Sequence, residues 1–192
     1  NVLPVWEQGI RGQGIKVAVV DTGMNTKHLD FAPRFDSFTG NYNFLDDSDD
    51  VTDTNGHGTM VGGIIGATAN NNRGVSGVAP EVQLYSYKTG EGPGISLQAV
   101  ASAFSAAGEE NIPVINASIG GGYYKPLETA VLNNPDQLYV VAAGNDGSNN
   151  DNKGTYPCNL PAENIICVAA TDQDDKLAVF SNYGEKSVDL AA

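Results

Sequence analysis

The chain has 192 residues, 41% of them hydrophobic, which is about one domain with enough apolar content for a proper core. Its 10 basic and 23 acidic residues leave a net charge of −13, which repels phosphate backbones and excludes nucleic acid as a natural partner. No apolar run is long enough to span a bilayer, and no charged-then-apolar signal segment stands at Asn1, so the sequence reads as a soluble chain whose start is processed or trimmed.

Ile15 to Asp21 is an apolar, β-branched run of strand length, the pattern of a strand buried on both faces of a parallel sheet. Asp21 sits at its carboxyl end, where Thr22-Gly23 must turn sharply and where such strands present function. Asp30 and the stretch from Phe31 to Asp53 read as irregular or short-stranded surface structure. Within it, Asp46-Asp47-Ser48-Asp49-Asp50 and Asp53 crowd carboxylates together. They read as a solvated loop in preference to a calcium loop, because the alternating ligand spacing is missing.

A helix is predicted from about His57 to Ala67, capped by Asn55 or Thr54. Gly62, Gly63 and Gly66 each cost such a helix about 1 kcal/mol relative to alanine, so it must lie tight against the sheet. Asn70 to Gly74 is a turn-rich loop, followed by a strand from Gln83 to Tyr87 and a loop from Thr89 to Gly94 with much free backbone. A helix from Ile95 to Gly108 follows, then a strand from Ile112 to Ser118, three glycines, and a helix near Pro126 to Leu132. Leu138 to Ala143 and Ile165 to Ala170 are further strands, Phe180 to Gly184 is a turn, and Val188 to Ala192 begins another apolar run. The alternation predicts one α/β domain over residues 1–192, with a doubly wound, mostly parallel sheet and helices on both faces.

Cys158 and Cys167 lie close in sequence. In an exported protein they bridge, and closing so short a loop contributes about 2.5 to 3 kcal/mol on the chain-entropy model. The alternative is two unpaired thiols, with Cys167 buried in its strand.

An ionised aspartate beside an imidazole fixes its tautomer and stabilises the imidazolium formed when the ring takes a proton. Asp21 at a strand end and His57 at a helix start suit that task, and the positive end of the helix tends to keep the imidazole neutral. Taken alone, the two residues fit a structural or metal role about as well.

Further motifs narrow the reading. Ala18 to Gly23 (Ala-Val-Val-Asp-Thr-Gly), Asn55 to Thr59 (Asn-Gly-His-Gly-Thr), Gly77 to Pro80 (Gly-Val-Ala-Pro) and Ala142 to Gly147 (Ala-Ala-Gly-Asn-Asp-Gly) resemble the subtilisin-like serine proteases in order and spacing. The resemblance runs from about Val2 to the last residue. It implies that Asp21 is the triad aspartate, His57 the triad base, and Asn145 the amide donor to the oxyanion. It implies that Ser118, Ile119 and Gly120 pair with substrate backbone and form one wall of the primary pocket. Ala143 and Gly144 lie on the other wall, and Gly92, Pro93 and Gly94 form the opposite edge, so that a peptide is clamped as an added strand. It also implies a calcium site from Asp30 and Asn71 with backbone carbonyls near Ala69, Arg73 and Val75, an oxygen set that suits that ion. His28 resembles a structural turn residue of the family.

The departures are as informative. The family's nucleophile, a serine within Gly-Thr-Ser, has no counterpart, because Gly58-Thr59 and Gly154-Thr155 are followed by Met60 and Tyr156. Met60 stands where many relatives carry a second histidine, and Gly62 where they often carry alanine. The sequence therefore predicts the larger part of a secreted endopeptidase made as a longer precursor, its serine carried by a second chain or C-terminal segment. Alone, residues 1–192 are expected to be inactive, with an unfinished sheet edge prone to aggregation. The alternative is a serine-less relative that binds or scaffolds peptides. For the primary pocket, Asp146 at the rim favours a basic side chain, and apolar walls favour large hydrophobic ones.

Overall fold

A computed structural model describes residues 2–32, 40–92 and 94–192. The chain divides into two compact units, Asn1–Ala99 and Val100–Ala192.

The first unit opens with a short helix α1, Leu3–Glu7, which has Pro4 in its first turn. Strand β1, Lys16–Asp21, is buried from Val17 onward, as its unbroken apolar run predicts. A 3₁₀ turn, Leu29–Phe31, follows, with His28 as its N-cap accepting from the Asp30 amide, the turn role expected of that residue. Strand β2, Tyr42–Asn43, comes next. Helix α2 spans His57–Gly66, and β3 spans Gln83–Lys88. The parallel order is β2-β3-β1, with Lys16 opposite Gln83 and Asp21 opposite Lys88. The carboxyl ends of β1 and β3 therefore finish side by side. Two-residue strands β4, Gly90–Glu91, and β5, Gly94–Ile95, form an antiparallel hairpin in what the sequence reads as an open loop.

Helix α2 begins at His57, but not with the cap expected. Gly56 is the N-cap residue, at φ 96°, and no side chain of its own closes the turn. Thr54 takes no capping part, and Asn55 Oδ1 reaches only the His57 amide. The next amides are taken by residues distant in sequence, Thr22 Oγ1 for Gly58 and Asp53 Oδ2 for Thr59. The predicted close packing is present: a Cβ on Gly62 would meet Met24 Cε at 2.4 Å, and one on Gly66 would meet Leu84 and Val82 at 3.1 Å.

Helix α3, Leu97–Glu109, contains the boundary between the units. It starts two residues later than its spacing predicts, because Ile95 is taken by the hairpin and the Ser96 hydroxyl accepts from the Ala99 amide. The second unit continues with β6, Val114–Ala117; α4, Lys125–Leu132; β7, Leu138–Ala142; β8, Ile165–Ala169; and β9, Leu190–Ala191. These strands are parallel in the order β6-β7-β8-β9. Phe104 of α3 packs on Tyr139 of β7 at 4.7 Å between ring centres.

The strands of this unit are not buried on both faces. Ala117, Val141 and Cys167 form a buried row, whereas Asn116, Val140 and Ile166 on the opposite face are half-buried. Cys158 and Cys167 are bonded, fastening the loop before β8 to the strand. The architecture is the α/β, mostly parallel sheet that the alternation predicts. No helix among the described residues is long and apolar enough to cross a membrane.

Candidate active site

In the first unit, the ends of β1 and α2 bring Asp21 and His57 together. His57 Nδ1 lies 2.7 Å from Asp21 Oδ1, and that same oxygen accepts from the Thr22 amide at 2.7 Å. The Asp21 side chain is 0% exposed and the imidazole 45%. A fully buried carboxylate is tolerated only where hydrogen bonds or an opposite charge meet it, and here Oδ2 has no partner among the described residues. A neutral imidazole that donates from Nδ1 to this carboxylate leaves Nε2 as its acceptor nitrogen.

Two glycines make this approach possible. Gly23 turns the chain at φ 110°, and a Cβ there would meet Val51 O at 2.5 Å. At Gly58 a Cβ would stand 2.1 Å from Gly23 O and 3.1 Å from Asp21 Oδ1.

The hairpin beside this pair is tied to it. Asn55 Nδ2 donates to Gly92 O at 2.8 Å, so the loop before His57 holds the hairpin tip. Lys88, 3% exposed, donates to Thr52 O and pairs with Glu91 of β4 at 2.8 Å. Gly92 and Gly94 lie in this hairpin, while Pro93 lies outside the described residues.

In the second unit, Ser118, Ile119, Gly120, Gly144 and Asn145 line one cavity of about 420 Å³. Gly121, Gly122, Ala142, Asp146, Lys153, Gly154 and Thr155 complete its wall. Ala143 is not part of it: the side chain is buried, and its carbonyl accepts from Asn150 and Asn182. Asn145 is exposed.

The loop carrying Asn145 is held by a residue that the sequence offers only as part of a turn. Asn182 is 0% exposed, and its Oδ1 accepts from the amides of Asp146 and Ser148. Its Nδ2 donates to Ala143 O, Asn150 Oδ1 and Thr155 Oγ1, and its own amide donates to Gly144 O. Nothing local marks this role, because these partners lie tens of residues away and are reached only through the fold.

The calcium set implied by resemblance is arranged differently. Asp30 is buried, its Oδ2 accepts from the Val75 amide, and its Oδ1 accepts from Asn71 Nδ2. Asn71 Oδ1 takes the Arg73 amide, which fixes the orientation of that side chain. Asn71 thus presents an NH₂ group, not an oxygen, to Asp30, and the loop from Ala69 to Val75 closes on the carboxylate by hydrogen bonds. This arrangement does not fit a cation. No cluster of three or more His, Cys, Asp or Glu suited to a metal occurs among the described residues.

The model of the subtilase family matches residues 12–192. Thermitase of Thermoactinomyces vulgaris is 35% identical over 94% of this chain and 63% of its own length. Subtilisin Savinase of Lederbergia lenta is 38% identical over 92% and 63%, and the major intracellular serine protease of Bacillus subtilis is 36% identical over 98% and 60%. A cold adapted subtilisin-like serine proteinase of known structure superposes with a TM-score of 0.81 at 31% identity, covering 95% of this chain and 64% of that one. The chain thus spans less than two thirds of the length of these relatives. The strand-end aspartate, the helix-start histidine and the comparisons agree: this chain belongs to the subtilase family.

Proposed function

We propose that residues 1–192 form the Asp-His-Asn part of a subtilisin-like serine endopeptidase whose nucleophilic serine is supplied from outside these residues. The observation that carries the reading is the 2.7 Å hydrogen bond between His57 Nδ1 and a fully buried Asp21, with the imidazole half open to solvent. In this mechanism, the serine hydroxyl gives its proton to His57 Nε2 as it attacks the peptide carbonyl. Asp21 stabilises the imidazolium, and the Asn145 amide receives the charge on the carbonyl oxygen. His57 then returns the proton to the leaving amine, and water repeats the sequence to release the acyl group.

Apolar surface supports a covering segment. Met60 and Ile64, one turn apart on α2, are 64% and 63% exposed, and the Val140, Ile166 and Leu190 face of the second unit is incompletely covered. Surfaces of this kind suit the addition of more chain. The cavity at Asn145 is assigned to the side chain that precedes the scissile bond. Asp146 and Lys153 both line it, so neither charge stands alone, and glycine, alanine and isoleucine walls favour an uncharged apolar residue. A Cys158–Cys167 bond persists in an extracytoplasmic setting, which is the location proposed. Calcium has no part in this reading.

The test is intact mass and chain count on the natural protein, with labelling by a fluorophosphonate that reacts only with an activated serine. A labelled serine on the same polypeptide or on a co-purifying one supports the proposal, and Asp21→Asn should then lower kcat by about 10⁴-fold, the size of loss known for the same change in a Ser-His-Asp triad. An unlabelled single chain overturns it and leaves a serine-less peptide-binding protein, to be tested by calorimetry with peptides.

A further inference from the structure

Asp53 belongs by sequence to the acidic run before it, but the fold separates it from that run. Its Oδ1 accepts from Thr22 Oγ1 at 2.9 Å, from the Gly56 amide at 2.8 Å and from the Asn55 amide at 3.1 Å. Its Oδ2 accepts from the Thr59 amide at 2.9 Å and the Thr59 hydroxyl at 2.6 Å. The donors come from three places: the residue after Asp21, the turn before His57, and the first turn of α2.

Thr22 is the link to the chemistry. Its hydroxyl donates to Asp53 and accepts from the Gly58 amide, so one oxygen joins the end of β1 to the start of α2. Its amide donates to the Asp21 oxygen that also meets His57 Nδ1. An ordinary helix cap would engage the turn and the first helical amides alone. The contact with Thr22 goes beyond a local cap, because the same residue that takes the Gly58 amide also reaches Asp21.

We propose that Asp53 is a positioning residue of the Asp21–His57 pair: by holding Thr22 and the first turn of α2 together, it fixes the geometry in which His57 keeps its proton on Nδ1. The functional weight of this rests on the reading of Asp21 and His57 as a catalytic pair. The geometry itself can be measured without turnover.

The experiment is nitrogen-15 NMR of the histidine rings in the full-length protein, comparing wild type, Asp53→Asn and Thr22→Val. His28 is an internal control, because its Nδ1 accepts from the Asp30 amide and so its proton lies on Nε2. In the wild type, neutral His57 is expected in the Nδ1–H form. Both variants should raise its Nε2–H share about tenfold, the scale of losing one charge-assisted hydrogen bond, with His28 unchanged. A variant that keeps the His28 signature and the wild-type His57 tautomer overturns the proposal, as does a wild-type His57 without the Nδ1–H form. Should Asp53→Asn fail to fold, Thr22→Val decides, since it keeps the shape of the side chain and removes only the hydroxyl link. A protein with no labelled serine but the predicted tautomer shift would refute the protease reading and leave this one standing.

Discussion

Both ends of the Asn182 amide are occupied, and the groups they hold lie on either side of Asn145. Removing that side chain strands the Asp146 and Ser148 amides and leaves a void, because Gly144 packs so close that a Cβ there would meet Asn182 Nδ2 at 2.5 Å. Asn182→Ala should cost about 2–4 kcal/mol, measured by urea unfolding, since buried groups lose their partners. Asp53 gives a pH prediction at the same scale. Burial alone would raise its pKa, but hydrogen bonds from Thr59, Gly56 and Thr22 outweigh it and hold the carboxyl below its ordinary value of 3.8. A depressed carboxyl contributes stability above the unfolded pKa and loses it as pH falls through the folded one. Wild-type stability should therefore decline more steeply below about pH 4 than that of Asp53→Asn, as urea melts between about pH 3 and 6 would show.

Helix α2 shows why glycines of equal appearance differ. Gly58 faces the Gly23 carbonyl at a distance no Cβ can accept, whereas a Cβ at Gly63 would meet only Val75 Cγ2, at 3.9 Å. Gly58→Ala is expected to cost about 2–4 kcal/mol and to separate His57 from Asp21, through forced backbone movement. Gly63→Ala is expected to add about 0.5–1 kcal/mol, because alanine restricts the unfolded chain and fits the helix. Thermal melts of the two variants should move in opposite directions. Periodicity identifies this helix and its need for close packing, but not which glycine touches backbone, since that depends on the strand turn at Gly23. The cap escapes a local reading for a related reason: neighbouring sequence offers Asn55 and Thr54, while Thr22 and Asp53 supply the oxygens from other parts of the chain.

For the whole molecule, the net charge of −13 is opposed by few ion pairs among the described residues, of which Lys88–Glu91 has the most buried cation. Self-repulsion at that charge weakens the compact state, and salt screens it. Raising sodium chloride from about 10 mM to about 500 mM, which shortens the screening length several-fold, should raise Tm by a few degrees. An unchanged or lower Tm would show that the described ion pairs outweigh the repulsion.

The sequence by itself determined the alternation of strands and helices, the strand end at Asp21, the helix start at His57 and the family motifs around them. Each of these is written in neighbouring residues, as an apolar period, a glycine turn or a short motif. Only the tertiary structure decided that Asp53 leaves its acidic run to bind Thr22, that Asn182 holds the Asn145 loop, that Ala143 is buried outside the cavity, and that Asn71 turns its NH₂ group to Asp30. Those outcomes depend on hydrogen bonds between residues tens of positions apart, and such pairings have no periodicity along the chain.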